Sequence, residues 1–461
     1  MKGFVPTPSH VVDLMVSKLF AGRTVSADST LLDPGCGDGE FIAGILRFCQ
    51  VRGAPAPKIL GVELDPRKAA SARARFVGAD SVTIECADFL APQRRTFDHV
   101  IGNPPYVSIG ALSVDERTEF RSGFVSATGR FDLYSLFFEQ ALRLLRPDGR
   151  LVFVTPEKFT YVESARTLRG LLSRRGVAEL HFCPEDTFDG YVTYPVITTL
   201  SGAPTQPTTR IRHRGGAQTI ARLPESASWM PAISGFTNVA DNDSATLSDY
   251  ARRISCGVAT GADRVFVVPQ TAITSAVLRY AFPTISGRQL VSGREVVRAS
   301  YLLAPYSADG SLLPEAELGS FGDFLREPQR RKQLEARACV ARKPWYAFHD
   351  NFPIRDMLRP KILTKDIAAE PVFVVDRAGD VVPRHSVYYI VPRDSADLDP
   401  IAQYLDSSDA RAWLRAHCQR AATGCLRLQS HVLKQLPIPL RLEAQLLGRR
   451  DVPAQGVRLP T

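Results

Sequence analysis

The chain contains no run of about twenty apolar residues, so a transmembrane helix is not expected. Its first residues lack a secretory pattern, because Thr7, Pro8, Ser9 and His10 interrupt the stretch before an apolar segment forms. Both absences lead to the expectation of a cytoplasmic protein without a membrane partner. None of the eight cysteines forms a Cys-x-x-Cys pair, and the closest two are Cys418 and Cys425. A zinc site and a disulfide framework are therefore both disfavoured, and buried or inert thiols are expected. Internal repeats and low-complexity tracts are absent as well.

What is present is ordinary globular composition, 44% hydrophobic and 23% charged. At 461 residues the chain exceeds one typical core, so two domains are expected. The formal net charge of +9, carried more by Arg than Lys, suits a polyanionic partner without proving one.

Residues 1–201 alternate strand and helix patterns. Strands are expected at 30–33, 58–63, 81–86, 97–101 and 151–155. Helices are expected at 41–50, 65–76 and 133–145, the last ended by Pro147-Asp148-Gly149. This βα alternation argues for an α/β fold with helices on both faces of a parallel sheet. Residues 202–245 are rich in Thr, Ser, Pro, Gly and Asn and read as a linker. Residues 246–445 read as a mixed α+β domain, with strands at 265–268, 372–375 and 387–390 and helices at 324–340 and 409–417; residues 446–461 form a tail.

Asp33-Pro34-Gly35-Cys36-Gly37-Asp38-Gly39 lies between the first strand and the first helix of this alternation. Glycines there permit positive φ and close approach of the backbone to a ligand. The loop is not Gly-x-Gly-x-x-Gly, and no Lys-Ser or Lys-Thr follows to serve a phosphate. An acid precedes the glycines instead, which suits a cationic ligand. The next strand ends in Glu63, a carboxylate able to accept two ribose hydroxyls. Asp88-Phe89 follows the third strand, where an acid can accept from an adenine amino group while an aromatic ring covers the base. Each acid alone reads as a solvated loop residue. Together, at successive strand ends, they describe an adenosine-bearing cofactor at the carboxyl edge of a sheet.

Asn103-Pro104-Pro105-Tyr106 follows the fourth strand. A rigid turn is the plain reading, since two prolines fix φ and remove donors. The chemistry suggests more. An exocyclic amine on a base ring is a poor nucleophile, because its lone pair is delocalised. Two acceptors, the Asn103 side-chain oxygen and the Pro104 carbonyl, would bind its hydrogens and free that lone pair. Pro104 and Pro105 would hold the loop rigid, and Tyr106 would offer a face for stacking. Neither a covalent enzyme intermediate nor a metal is needed. A base within a duplex would first have to be flipped out. Phe188 is a candidate for a second aromatic face and stands equally as a core residue.

These residues resemble the gamma-class adenine-N6 DNA methyltransferases, most closely the TaqI-like enzymes. Gly3-Phe4-Val5-Pro6-Thr7-Pro8 is similar to that family's motif X, Asp33 to Gly39 to motif I, Glu63 to motif II and Asp88-Phe89 to motif III. Asn103 to Tyr106 matches motif IV in full. The resemblance implies a class I S-adenosylmethionine-dependent fold, a Rossmann-like mixed seven-stranded sheet, with a C-terminal target-recognition domain. It implies that Thr7 contacts the methionine end of S-adenosylmethionine, that Phe137 packs on its adenine, and that Phe188 stacks on the flipped base. Cofactor contacts are expected from Thr7, Asp33, Pro34, Gly35, Cys36, Gly37, Gly39, Glu63, Asp88, Phe89, Pro105 and Phe137. Ile285-Ser286-Gly287-Arg288-Gln289-Leu290 resembles a segment of the recognition domain, and 433–439 its closing strand. Asp33 stands where many relatives have Glu, and Tyr191 where the family often has a basic residue.

Double-stranded DNA is the expected partner of a monomer. A separate restriction endonuclease or further defence-system subunits stay open. Phosphate contacts are sought among Arg288, Arg330, Arg331, Lys343, Lys365 and Arg427, although a charged helix face is commonly just solvated. The Asn-Pro-Pro-Tyr motif is also similar to that of enzymes acting on RNA bases and on release-factor glutamine. An exocyclic amine of an RNA base is therefore the second reading. A non-catalytic DNA-binding subunit is a third, opposed by the intact motifs.

Overall fold

A computed structural model describes residues 5–188, 194–201, 208–235, 245–291, 296–421 and 425–448. Gly3, Phe4 and Tyr191 lie outside the described residues, as do 449–461 of the expected tail. The chain forms two compact units, Met1–Gly235 and Phe236–Thr461.

The first unit is built on one sheet. Its strands are β1 (Thr30–Pro34), β2 (Lys58–Glu63), β3 (Val82–Cys86), β4 (Phe97–Gly102), β5 (Leu145–Pro156), β6 (Val177–Phe182), β7 (Pro195–Leu200), β8 (Thr209–Arg212) and β9 (Gln218–Ala221). They lie in the order β3-β2-β1-β4-β5-β7-β6-β8-β9. β1 pairs in parallel with β2 on one side and β4 on the other. The strand order therefore reverses there, and the carboxyl ends of β1 and β4 part to leave a crevice. β7 runs antiparallel between β5 and β6.

Alternation along the strands separates two cores. Leu32, Leu151 and Phe153 join one face with Leu136, Phe138 and Phe159. Leu31, Val152 and Val154 join the other with Val12, Met15, Ile42 and Ile45. The helices that cover the sheet begin where local chemistry allows. α1 spans Ser9–Leu19 and α2 spans Glu40–Val51, α2 starting behind the left-handed Gly39. α3, Pro66–Arg75, is capped by the Asp65 carboxylate, which accepts from the amides of Arg67 and Lys68, with Pro66 in the first turn. α4 is Val114–Gly123, closed by a capping box between Ser113 and Glu116. α5, Leu133–Leu144, is buried along most of its length. α6 is Arg166–Arg175.

Three expectations for this unit need correction. Among the described residues the sheet has nine strands instead of seven, and the stretch expected as linker supplies β8 and β9. Trp229, also in that stretch, is fully buried against Phe159, with ring centroids 5.8 Å apart. Its indole N–H donates to the Pro224 carbonyl at 2.8 Å. The stretch showed no apolar period because β9 is almost wholly exposed and β8 buries only Thr209 and Ile211. Likewise β5 begins at Leu145, ahead of the Pro-Asp-Gly turn expected to precede it.

In the second unit, strands Ala251–Cys256, Val387–Pro392, Lys361–Lys365 and Phe373–Asp376 form one antiparallel sheet in that order. A second sheet joins Val267–Pro269, Ser300–Leu303, Ala281–Ile285 and Val382–Pro383. A third pairs Ile367–Ala368, Leu426–Arg427 and Gln419–Arg420. Val265 and Phe266, expected in a strand, belong to a helical turn, Asp263–Phe266. The helix expected over 324–340 is divided into Ser320–Arg326 and Pro328–Glu335, because Pro328 cannot continue the first. The expected closing strand at 433–439 is also absent. Residues Ser430–Lys434 are helical, and Pro437 makes one isolated bridge to Thr246. Pro437 and Pro439 lack the donors a strand needs. Residue 446, expected to begin the tail, lies within the helix Leu440–Gly448.

Candidate active site

The loop after β1 is shaped by its glycines and by the end of β2. Gly35, Gly37 and Gly39 all have positive φ. At Gly39 a Cβ would run into the Phe76 ring as well as meeting a left-handed backbone, so only glycine fits. The amides of Gly35 and Cys36 donate to the Val62 carbonyl at 2.7 and 3.0 Å. Glu63 holds the same loop from its side chain: Oε2 accepts from the Gly37 amide at 2.9 Å and Oε1 from the Asp65 amide at 2.8 Å.

Asp33, at the end of β1, is fully buried, and neither carboxylate oxygen has a hydrogen-bond partner among the described residues. Burial, and then the Glu63 carboxylate, push its pKa well above the ordinary carboxylate range. Such a group calls for a proton or a cation. Cys36 is packed into the core beside it, and burial raises its thiol.

A cavity of about 210 Å³ opens at the β1/β4 crevice. Gly35, Glu63, Asp88, Phe89, Asn103, Pro105 and Phe137 all line it, so residues far apart in sequence converge on one space. The Phe89 and Phe137 rings lie 5.0 Å apart and tilted. Asp88 is fixed by its Oδ1, which accepts from the Leu90 amide at 2.9 Å. Thr7, Asp33, Pro34, Cys36, Gly37 and Gly39 are not among the lining residues; the last five shape the loop from behind. Leu112, Glu116, Phe120 and Leu133 also line the cavity and were not foreseen. The stretch 112–120 has no residue type that marks it as site-forming, and α4 buries none of its residues.

Asn103, just past β4, is oriented by the start of the chain. Its Nδ2 donates to the Val5 carbonyl and to the Thr7 Oγ1, each at 3.0 Å. Its Oδ1 is buried and has no partner among the described residues. Both amide hydrogens are thus used, and the acceptor is left over. Thr7, expected at the cofactor, is found holding Asn103. Pro104 is buried, while Pro105 and Tyr106 are half-buried. The Tyr106 hydroxyl donates to the Val154 carbonyl at 3.4 Å, and burial raises its pKa. Phe188 is buried in the apolar cluster against which Tyr106 packs, which places the two aromatic candidates at one edge of the sheet.

The basic residues sought for DNA contact are mostly engaged within the second unit. Arg330 pairs with Glu327 at 2.6 Å and lies 3.6 Å over the Phe324 ring. Arg331 pairs with Glu335 at 2.9 Å and lies over Trp345. The Lys343 Nζ donates to the His349 carbonyl at 2.9 Å, and Arg427 reaches Asp366 at 3.4 Å. Arg288 is exposed on a 3-10 turn and Lys365 is half-buried at a strand end. No group of three or more metal-ligating side chains occurs among the described residues, and no helix there is long and apolar enough to cross a membrane.

The strand order, with a cavity at its switch point, defines a class I S-adenosylmethionine-dependent methyltransferase fold. Comparison with known proteins carries this further. Residues 59–188 match the Eco57I restriction-modification methylase family. The Type II methyltransferase M.PaeR7I of Pseudomonas aeruginosa is 26% identical over 98% of this chain and 90% of its own. The Type II methyltransferase M.XhoI of Xanthomonas vasicola is 25% identical over 95% of this chain and 91% of its own. The Type IIL restriction-modification enzyme MmeI, solved in complex with DNA, shares the fold over 97% of this chain and 68% of its own, with a TM-score of 0.63 and 15% identity. The chain is therefore similar to Type II methyltransferases over nearly its whole length.

Proposed function

We propose that the protein is a site-specific DNA methyltransferase that transfers a methyl group from S-adenosylmethionine to the exocyclic N6 amine of a flipped-out adenine. It serves as the modification component of a restriction-modification system. The carrying observation is Asn103, whose amide hydrogens are both taken by Val5 and Thr7 while its buried Oδ1 stays unpartnered beside the cavity.

The residues fit the cofactor. The orphaned, buried Asp33 lies behind the loop and would give up its proton when a cationic ligand binds in front of it. Glu63 keeps lone pairs free for ribose hydroxyls beyond the two amides it already accepts. Asp88, Phe89 and Phe137 provide an acceptor and two ring faces for a purine. When bound, S-adenosylmethionine supplies an electrophilic methyl group on a sulfonium centre. Asn103 Oδ1 and the Pro104 carbonyl accept the two hydrogens of the target amine and release its lone pair from the ring. The fixed amide of Asn103 and the two prolines do this without reorganisation. Tyr106 gives the base a ring to stack on, and Phe188, in the apolar cluster against which Tyr106 packs, is the second candidate ring. The order of motifs, with Val5 to Pro8 ahead of the glycine loop, supports the gamma-class, TaqI-like grouping. The same reading makes the protein a cytoplasmic monomer, with a separate endonuclease as its counterpart.

The test is single-molecule methylome sequencing of DNA from a host lacking adenine methylation, with Asn103→Ala as control. A methyladenine motif seen only with the intact protein is expected. Soluble, cofactor-binding protein that leaves DNA unmarked would sink the reading and move the substrate to RNA.

A further inference from the structure

The second unit holds a cavity of about 420 Å³ that no step of the transfer uses. Four cations line it: Arg252, Arg253, Arg393 and Lys434. Their convergence has a structural cause. Neighbouring residues of a regular strand point to opposite faces. The pairing of Ala251–Cys256 with Val387–Pro392 slips between Ala251 and Arg253, as a β-bulge does. Arg252 and Arg253 consequently reach the same carboxylate, Asp356, through Nε at 3.0 Å and Nη1 at 3.2 Å. Arg393 enters directly after the partner strand, and Lys434 from the end of the helix Ser430–Lys434.

Charge is left over. One carboxylate serves two guanidinium groups, and neither Arg393 nor Lys434 has an ion-pair partner among the described residues. Asp249 accepts from the amide and hydroxyl of Thr246, at 2.8 and 2.9 Å, and feels the Arg393 charge without forming an ion pair with it. The Arg253 Nε is buried and unpartnered. Ser248 and Ser255 add hydroxyls, while Ala251 and Ile254 are the remaining lining and offer no ring for a base. Cations and hydroxyls without a stacking face suit a phosphate and read no nucleobase.

We infer that this cavity binds a backbone phosphodiester of the nucleic acid, giving affinity without sequence readout. This rests on the DNA reading above. It also moves the phosphate contact from the helix around Arg330 to the bulged strand.

The test compares the full-length protein with the double variant R393Q/K434Q and each single variant. Anisotropy of a labelled random-sequence duplex is followed across a salt series, and inorganic phosphate is titrated by calorimetry. Losing one phosphate contact should flatten the slope of log K against log salt by about 1 and weaken binding several-fold at low salt. Cofactor affinity, melting temperature and the methylated motif should stay unchanged, and each single variant should move the slope the same way. An unchanged slope in all three variants overturns the assignment. Inorganic phosphate bound by the wild type and lost in the variants, with DNA binding untouched, overturns it in favour of a free-phosphate site. Wild-type protein that marks no DNA fails the functional reading instead, which the variants alone cannot produce.

Discussion

The Thr7 hydroxyl accepts a hydrogen bond from the Asn103 amide at 3.0 Å, across 96 positions of sequence. With the Val5 carbonyl it leaves that amide one orientation, its oxygen buried and without a partner among the described residues.

Thr7→Val should therefore free the amide to turn. Removing one hydrogen bond of about 1 kcal/mol lowers kcat roughly five- to tenfold. KM for DNA and the affinity for S-adenosylmethionine should hardly move, and Thr7→Ser should restore most of the rate. Steady-state kinetics decide it; a matching loss in Thr7→Ser, or a rise in KM alone, would place Thr7 elsewhere.

Asp33 gives a prediction with a sign. Its folded pKa lies well above the ordinary value, so the folded state holds a proton that the unfolded state releases. Stability is then lost as pH rises from about 4 through the raised pKa. Asp33→Asn should melt higher than wild type without cofactor, by a margin that widens between about pH 5 and pH 8. The same variant should bind S-adenosylmethionine about tenfold more weakly, because it has no buried charge to offer the sulfonium through the loop. Thermal melts and calorimetry check the two halves separately.

His99 titrates the other way. It is buried in β4 with its ring edge-on to Phe20, and burial, then Arg23, push its pKa down to about 4. Arg150 adds to this, and Asp98 opposes it. The unfolded chain binds the proton first, so stability falls as pH drops from about 6.5 toward 4. Denaturant titrations should show a loss on the order of 2 kcal/mol across that window. His99→Gln should flatten the dependence, and an identical pH profile in the variant would refute it.

Arg331→Gln should leave the salt slope of DNA binding unchanged, since its guanidinium is held by Glu335 and Trp345. Its cost is an exposed ion pair, under about 1 kcal/mol of stability. A slope shift of about 1 would return Arg331 to the phosphate-binding surface.

The sequence was most legible where chemistry and strand ends coincide. Lys58–Glu63 reads as a strand from its apolar run, and Glu63, Asp88 and Asn103 follow strands that end at one edge. At Glu63 the sequence suggests ribose hydroxyls and gives no sign of its grip on the Gly37 amide. The partner of Asn103 was invisible, because no local pattern tells a Thr near the chain start to meet residue 103. Proline misled in both directions. Pro328 divided an expected helix, while Pro147 did not delay β5. In the second unit, charge runs drew attention to Arg330 and Arg331, whose acidic and aromatic partners lie close by. The cations that converge on one cavity are scattered from 252 to 434 and are joined only by a bulge and a strand crossing.

The reversal of β7 has a consequence for how such a protein can change over generations. Parallel strands must be linked by long crossovers, whereas antiparallel neighbours need only a loop. β6 ends and β7 begins at the edge where Asn103 sits, so the chain leaves and re-enters the sheet there without a crossover. The length of that connection can change without a crossover helix to move, while Phe188 stays tied to the core that holds Cys36 and Ile42. Chain length can thus vary at this edge while the strands on either side keep their register.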